Sequence, residues 1–555
     1  MAARGARRES GTWADSCLAA GATGSVGHDA LVHLDPQIGV VALVLLVAVA
    51  ALLAVAPMLR IPYPILLVLG GLVIGLVPEM PEFELQPELV FFGVLPVLLY
   101  GAAFFTSLRD LRVNAKPIGL LAIGLVLMTT VGVAVVAHAF IGGLSWASAF
   151  VLGAIVSPTD PLAATSIARR LGVPRKLVTI VEGESLVNDG SGLVLYRVAV
   201  AAVLTGSFSL LDTGGLFIVV AGGGVAFGLG VGWLVRQVRR RLDNPPAEIT
   251  ISLLTGYLAF IPADLLGLSA VLATVTAGVY LGWHTPELTS AQVRLQALAV
   301  WEIVQYLLNA LLFVLVGLQL PVVVESLDDV PVPRLLGYAA LVSLTVILLR
   351  FAWVFVVHYA PKRFVGRMSD WRGAVFLSWA GMRGAVSLAA ALALPFETDA
   401  GDPFPGREFV VFLTFMVILA TLVGQGLTLP LVIRWLGLED DGLEEREDAK
   451  ARIHAAEAAL VRLEELLDED WVREDTAERV RGAYNFRTTR FRARLDDGDD
   501  GAVESRSQDY QRLRRELLDA EREALVELRR AGAISNDVWI RVGRDLDLED
   551  QRLDI

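Results

Sequence analysis

From residue 37 to residue 436 the chain consists of long apolar runs separated by short polar, proline- or glycine-marked turns. Neither the alternation of a half-buried strand nor the one-sided stripe of a soluble helix recurs along it. A helix of about 20 residues, at 1.5 Å each, crosses a bilayer core of about 30 Å. Thirteen runs suit such crossings, at roughly 37–58, 61–77, 88–107, 117–141, 145–170, 177–203, 213–235, 248–262, 267–283, 300–320, 335–359, 373–395 and 408–436. The pattern therefore predicts an all-α polytopic membrane protein. No apolar run precedes residue 37, so residues 1–36 lack the apolar region of a signal peptide and read as a disordered extension. After Gly437 apolar positions at Ile453, Leu460, Leu463 and Leu466, and at Leu513, Leu517, Leu525 and Leu528, suit amphipathic helices parted by an Asp/Gly break at 496–501. Residues 437–555 are expected to form a helical cytosolic domain.

Composition agrees: 55% of the 555 residues are hydrophobic, and the mean hydropathy is +0.58. Loop charges then give direction. Alternate loops carry Arg60; Arg109, Arg112 and Lys116; Arg169, Arg170, Arg175 and Lys176; Arg236, Arg239, Arg240 and Arg241; Arg294; and Lys362, Arg363, Arg367 and Arg372, whereas the others hold Arg334 and Arg407 among acids. Basic loops face the cytoplasm. Thirteen spans then put the N-terminus outside and the tail inside a plasma membrane; Arg4, Arg7 and Arg8 run against that rule. The net charge of −13 sits mostly in the tail, in mixed-sign runs such as 444–448, with no phosphate loop or metal-ligand spacing. Cys17 is the only cysteine, so no intrachain disulfide or cysteine metal cluster can form.

Two runs carry chemistry. The fifth contains Ser157-Pro158-Thr159-Asp160-Pro161, where two prolines free the carbonyls of Ala154 and Ser157 and disfavour helical geometry in the preceding residues. The helix should break there, leaving Asp160 beside freed carbonyls, as in midplane ion sites of secondary transporters. The alternative is a proline kink with Asp160 capping a helix start. On the sixth run, at about 100° per residue, Glu184, Asn188, Ser185 and Asp189 fall near 0°, 40°, 100° and 140°, one side of the helix. Carboxylates, hydroxyls and an amide make an oxygen-rich site for a hard cation or for protons. A carboxylate binds the cation only when deprotonated, so cation and proton compete for it. Arg350 and Arg383 would be costly unpaired and are expected to meet acids, with Glu184 the candidate for one. Gly381 and Gly384 suit close packing, Glu302 suits an interface or functional place, and His138 and His358 suit structural roles.

Three strings, Ser157-Pro158-Thr159-Asp160-Pro161, Glu182-Gly183-Glu184-Ser185-Leu186-Val187-Asn188-Asp189-Gly190 and Trp379-Ala380-Gly381-Met382-Arg383-Gly384-Ala385-Val386, resemble those of bacterial sodium/proton exchangers of the monovalent cation:proton antiporter family. The likeness runs from about residue 37 to the C-terminus, including Gly532-Ala533-Ile534-Ser535 and Leu546-Asp547-Leu548-Glu549-Asp550. It implies thirteen helices in inverted repeats, a core and a dimerisation domain, broken crossing fifth and twelfth helices, and a homodimer. It further implies Asp189 as the cation/proton carboxylate, Asp160, Ser185 and the Thr159 carbonyl as sodium-coordinating groups, and Asn188 as organiser. Glu184 would pair with Arg350, and Arg383 would match the arginine of the twelfth helix. Where relatives often carry an acid in the third helix, this chain has Gly101.

The expected function is secondary exchange of sodium, or of lithium or potassium, for protons, electroneutral by family analogy and serving pH and sodium homeostasis. No cofactor, nucleotide or nucleic-acid partner is expected, nor enzyme chemistry; Gly183-Glu184-Ser185-Leu186-Val187 lacks the second glycine of a hydrolase elbow. The rival reading is a gated cation channel built on the same ligands, against which no repeated carbonyl filter is visible.

Overall fold

The computed structural model describes residues 36–59, 61–77, 88–206, 210–242, 244–325, 327, 330–361, 370–440, 442–495 and 502–553. The expected extension, with Arg4, Arg7, Arg8 and Cys17, lies outside them except for Pro36, as do Arg60 and residues 362–369. The described elements are almost wholly helical: α1 (Pro36–Leu59), α2 (Tyr63–Gly75), α3 (Leu89–Phe105), α4 (Leu108–Val113), α5 (Ala115–Phe140), α6 (Trp146–Val156), α7 (Leu162–Arg170), α8 (Arg175–Thr205), α9 (Leu210–Arg239), α10 (Pro245–Leu265), α11 (Ala270–Leu288), α12 (Ala291–Glu325), α13 (Val332–Tyr359), α14 (Trp371–Trp379), α15 (Ala385–Leu392) and α16 (Arg407–Leu436). Each apolar run coincides with one of these helices, or, for the fifth and twelfth, with a broken pair. Among the described residues, seven helices are long and apolar enough to cross a membrane: α5, α8, α9, α10, α12, α13 and α16.

Two helix groups pack side by side, α5–α8 with α13–α16 and α1–α3 with α9–α12. Lipid supplies no hydrophobic drive between helices, so close backbone approach has to hold each group together. Glycines permit it. A Cβ on Gly71 of α2 would stand 2.2 Å from the Val314 carbonyl oxygen, and one on Gly317 of α12 would stand 2.2 Å from that of Val68. The seam between the groups is where the polar positions of α8 and α12 meet.

Four further helices follow: α17 (Leu443–Leu466), α18 (Glu474–Leu495), α19 (Ala502–Arg530) and α20 (Asn536–Leu553). The expected break at 496–501 lies outside the described residues, and a second break, at 467–473, divides what the apolar spacing had left continuous. Arg481 holds Glu464 at 2.8 Å and Arg492 holds Glu457 at 2.6 Å, pinning α18 to α17. Arg522 bridges to Asp547 and Asp550 of α20, at 3.1 Å and 2.9 Å. Glu444 approaches Arg175 at the start of α8 to 3.8 Å.

Candidate cation-binding site

The two broken helices cross at their breaks. The Asp160 N–H, between α6 and α7, donates to the Met382 carbonyl, between α14 and α15, at 2.8 Å. Of the carbonyls left over at the ends of α6, that of Ala154 accepts the Ser157 hydroxyl at 3.0 Å and that of Val156 accepts Arg383 Nε at 2.9 Å. Arg383 Nη1 donates to the Gly381 carbonyl as well. Arg383 was expected to meet an acid; among the described residues its bonds go to carbonyls instead. The reason is electrostatic: α6 and α14 both end here, and the partial negative charge of two helix ends is what one guanidinium neutralises.

Asp160 takes the complementary place. Its Oδ1 accepts the Leu162 N–H at 2.9 Å, at the positive start of α7. It thus combines the two roles set against each other above, a helix cap and a polar group of the break. Gly384 leaves it room, since a Cβ there would fall 2.0 Å from Asp160 Oδ2. Gly381 does the same for Arg350, whose Cδ and Nε would each be 2.3 Å from an added Cβ.

The polar side of α8 divides in two. Glu184 turns inward, its two oxygens held by Arg350 Nη1 and Nη2 at 2.5 Å and 2.9 Å; both side chains are 1% exposed. Arg350 Nε donates to the Leu377 carbonyl at 2.9 Å, so the pair is anchored on α14. The Thr159 hydroxyl donates to Glu184 Oε1 at 3.2 Å and accepts Asn188 Nδ2 at 2.9 Å. Asn188 Oδ1 is buried with no hydrogen-bond partner among the described residues. The Ser185 hydroxyl donates to the Thr159 carbonyl at 2.6 Å, so this carbonyl is already engaged by one ligand group expected beside it.

Asp189, half-buried, turns the other way, into a cavity of about 290 Å³ in the seam. Asp160, Thr159 and Ser185 line the same cavity, with Gly384 and Ser387 of the crossing. One wall reaches Arg169 and Glu182, an ion pair at 2.6 Å, and the end of α3 at Thr106. The facing wall, from α12, brings Gln305 and Asn309, which the sequence reading passed over; two amides four apart in an apolar run were the available signal. Glu302 is exposed and does not line the cavity. His138 bonds the Leu144 carbonyl and stacks on Trp146, and His358 packs edge-on to Tyr359.

A second cavity, of about 250 Å³, opens in the same seam at the other end of α3, where Glu88 lines it, and one turn further along α8, at Leu193, Tyr196 and Arg197. An ion pair that the sequence reading also missed, Arg197 with Asp264 of α10, spans the seam here. Between the cavities the chain is tightly packed: a Cβ on Gly190 would meet Leu272 at 2.7 Å, and one on Gly192 would meet Pro158 at 2.4 Å.

Discontinuous helices crossing inside a polytopic bundle, with Asp160 and Asp189 in a cavity on one side of a packed barrier, define a secondary ion transporter. More particularly, the chain belongs to the sodium/hydrogen exchanger family, whose transmembrane-region model matches residues 43–435. It is 37% identical over 552 residues to an uncharacterized Na(+)/H(+) exchanger of Mycobacterium tuberculosis strain H37Rv, covering 95% of this chain and 98% of that one. It is 33% identical over 387 residues, 67% of this chain and 58% of the other, to a sodium, potassium, lithium and rubidium/H(+) antiporter of Bacillus subtilis. The sodium proton antiporter MjNhaP1 of Methanocaldococcus jannaschii has a similar fold, with a TM-score of 0.57 at 20% identity over 71% of this chain and 99% of that one.

Proposed function

We propose that the protein exchanges a monovalent cation for a proton, one for one, on Asp189, with Asp160, Ser185 and Thr159 supplying oxygens around it. The observation that carries this reading is the division of the polar face of α8: Arg350 occupies both oxygens of Glu184, while Asp189 and Asp160 face the cavity. A carboxylate bound to Arg350 throughout cannot exchange, and Asp160 is engaged by the Leu162 N–H at the start of α7, so Asp189 is the group assigned to alternate between proton and cation. The loaded core then carries the same charge in both directions, which makes exchange electroneutral. Sodium, potassium and lithium are the candidate cations, the names of the relatives covering all three. Neither a nucleotide nor another cofactor enters this cycle.

A channel would need a continuous polar path, and the packing at Gly190 and Gly192 argues against one. The chain sits in the bacterial plasma membrane with its basic loops and its helical tail in the cytoplasm, the N-terminus outside, and two copies forming the working unit, in the service of pH and sodium homeostasis. The test is cation-dependent proton flux in proteoliposomes with sodium, lithium and potassium, with and without an imposed potential. Proton movement that no cation drives, or uncoupled cation leak, would overturn the reading.

A further inference from the structure

The facing wall of the cavity holds a feature that neither the carboxylates nor the crossing accounts for. Gln305 and Asn309 stand four apart on α12, hence on one face, with Leu312 and Phe313 continuing that face around the cavity. Asn309 is 7% exposed, and among the described residues neither side-chain amide bonds to a protein group. An amide in such a place without a protein partner needs water or a ligand from the cavity to satisfy it. Amides serving only to glue helices would instead be bonded across the interface.

Depth and position agree. Asp189 lies 14 residues past Arg175, where α8 begins, and Gln305 lies 14 residues past Ala291, where α12 begins. At 1.5 Å per residue both are about 21 Å along their helices. Both helices start from basic-loop segments, Arg169–Lys176 and Arg294. Gln305 also fills the space vacated at Gly101: a Cβ there would lie 2.2 Å from Gln305 Nε2. At position 101 the third helix therefore offers no side chain to the site, and Gln305 stands in that place.

We infer that Gln305 and Asn309 are specificity-determining residues of the site, presenting amide oxygens from the facing helix group to a partly hydrated monovalent cation on Asp189. This rests on the exchange reading above. Neutral dipoles suit the task, because they add ligands without adding a titratable charge, and an amide can accept from a cation's water or replace it. Because α12 belongs to the group across the seam from Asp189, these ligands are present only while this cavity is open, and the cation loses them when the core moves. They tune loading from this side rather than the chemistry of Asp189.

The test uses the full chain in proteoliposomes, with Gln305→Leu, Asn309→Leu and the double variant, which keep similar volume and remove the dipoles. Half-saturating sodium, lithium and potassium concentrations are measured with the cation on each side of oriented vesicles, along with cation-induced thermal stabilisation in detergent. Loss of one neutral ligand should raise half-saturating sodium roughly fivefold, with a larger rise in the double variant. Maximal rate should stay within about twofold, and the ranking of the three cations should change for loading through this cavity only. Unchanged affinity and ranking would overturn the inference. So would an equal loss for all three cations, together with lower stability in their absence, which marks a packing role. If the wild type exchanges nothing, the exchange reading fails, while cation-induced stabilisation still decides whether the amides bind a cation.

Discussion

Of the carboxylates that the fifth and sixth runs bring together, Glu184 is locked in a buried bidentate pair, Glu182 is paired with Arg169 on the cavity wall, and Asp160 and Asp189 face the cavity. Asp189→Asn should abolish exchange and leave a folded protein, because the amide keeps the shape of the group and removes its titration; sodium-driven proton movement by the purified variant would count decisively against Asp189 as carrier. Exchange by the wild type should need more sodium as the pH falls, since protons fill the carboxylate that the cation must find deprotonated. A half-saturating concentration that is flat from pH 6 to 9 contradicts the competition. Breaking the Glu184–Arg350 pair leaves one charge uncompensated in a site 1% exposed, at a cost of about 3–5 kcal/mol. Either single alanine variant should thus unfold at lower temperature in detergent than the double variant, whereas additive losses would show the two to be energetically independent. Gly384→Ala is the subtler change. A methyl group 2.0 Å from Asp160 Oδ2 has to push the carboxylate off the start of α7, so sodium affinity should fall without loss of the fold.

At the scale of elements, the broken helices were legible because proline chemistry is local: Pro158 and Pro161 cannot continue a helix whatever surrounds them. That Glu184 would meet one of the two buried arginines was legible because isolated charges in apolar runs have few partners to find; the family resemblance singled out Arg350, and the pair is there. Arg383 was misread for a related reason. Its partners are the carbonyls of Val156 and Gly381, and a main-chain acceptor leaves no mark on the sequence. Gln305, Asn309 and the Arg197–Asp264 pair were passed over because which face of α12, α8 or α10 meets the seam is set by packing between helices distant in sequence. Glycine shows the same limit. Gly71 and Gly317 look like two of many small residues, yet each touches the backbone of the opposite helix, where no rotamer change can relieve a clash. Gly317→Leu should therefore force α2 and α12 apart and lower the melting temperature in detergent by several degrees, about 2–4 °C for each kcal/mol in a protein of 150–250 residues and less here; an unchanged melting curve would mean that the two helices do not hold this register.

For the whole molecule, one-for-one exchange with Glu184 permanently ionised predicts that a potassium diffusion potential set with valinomycin leaves the initial rate of proton exchange unchanged in sodium-loaded vesicles. Acceleration by one sign of potential would point to Asp160 as a second proton carrier, the two cavity acids titrating together. The Arg197–Asp264 pair ties the two helix groups on the side away from Asp189, so a reversible cross-link there, from cysteines placed at both positions after Cys17→Ser, should stop exchange until it is reduced. The spacing on α8 has a consequence for the size of the motion. Asp189 faces the first cavity and Leu193 the second; four residues of helix, about 6 Å, separate them. A slide of one helical turn would carry the carboxylate from one compartment to the other without any helix unwinding, so the distance over which the ion is handed on is short compared with the thickness of the membrane that it crosses.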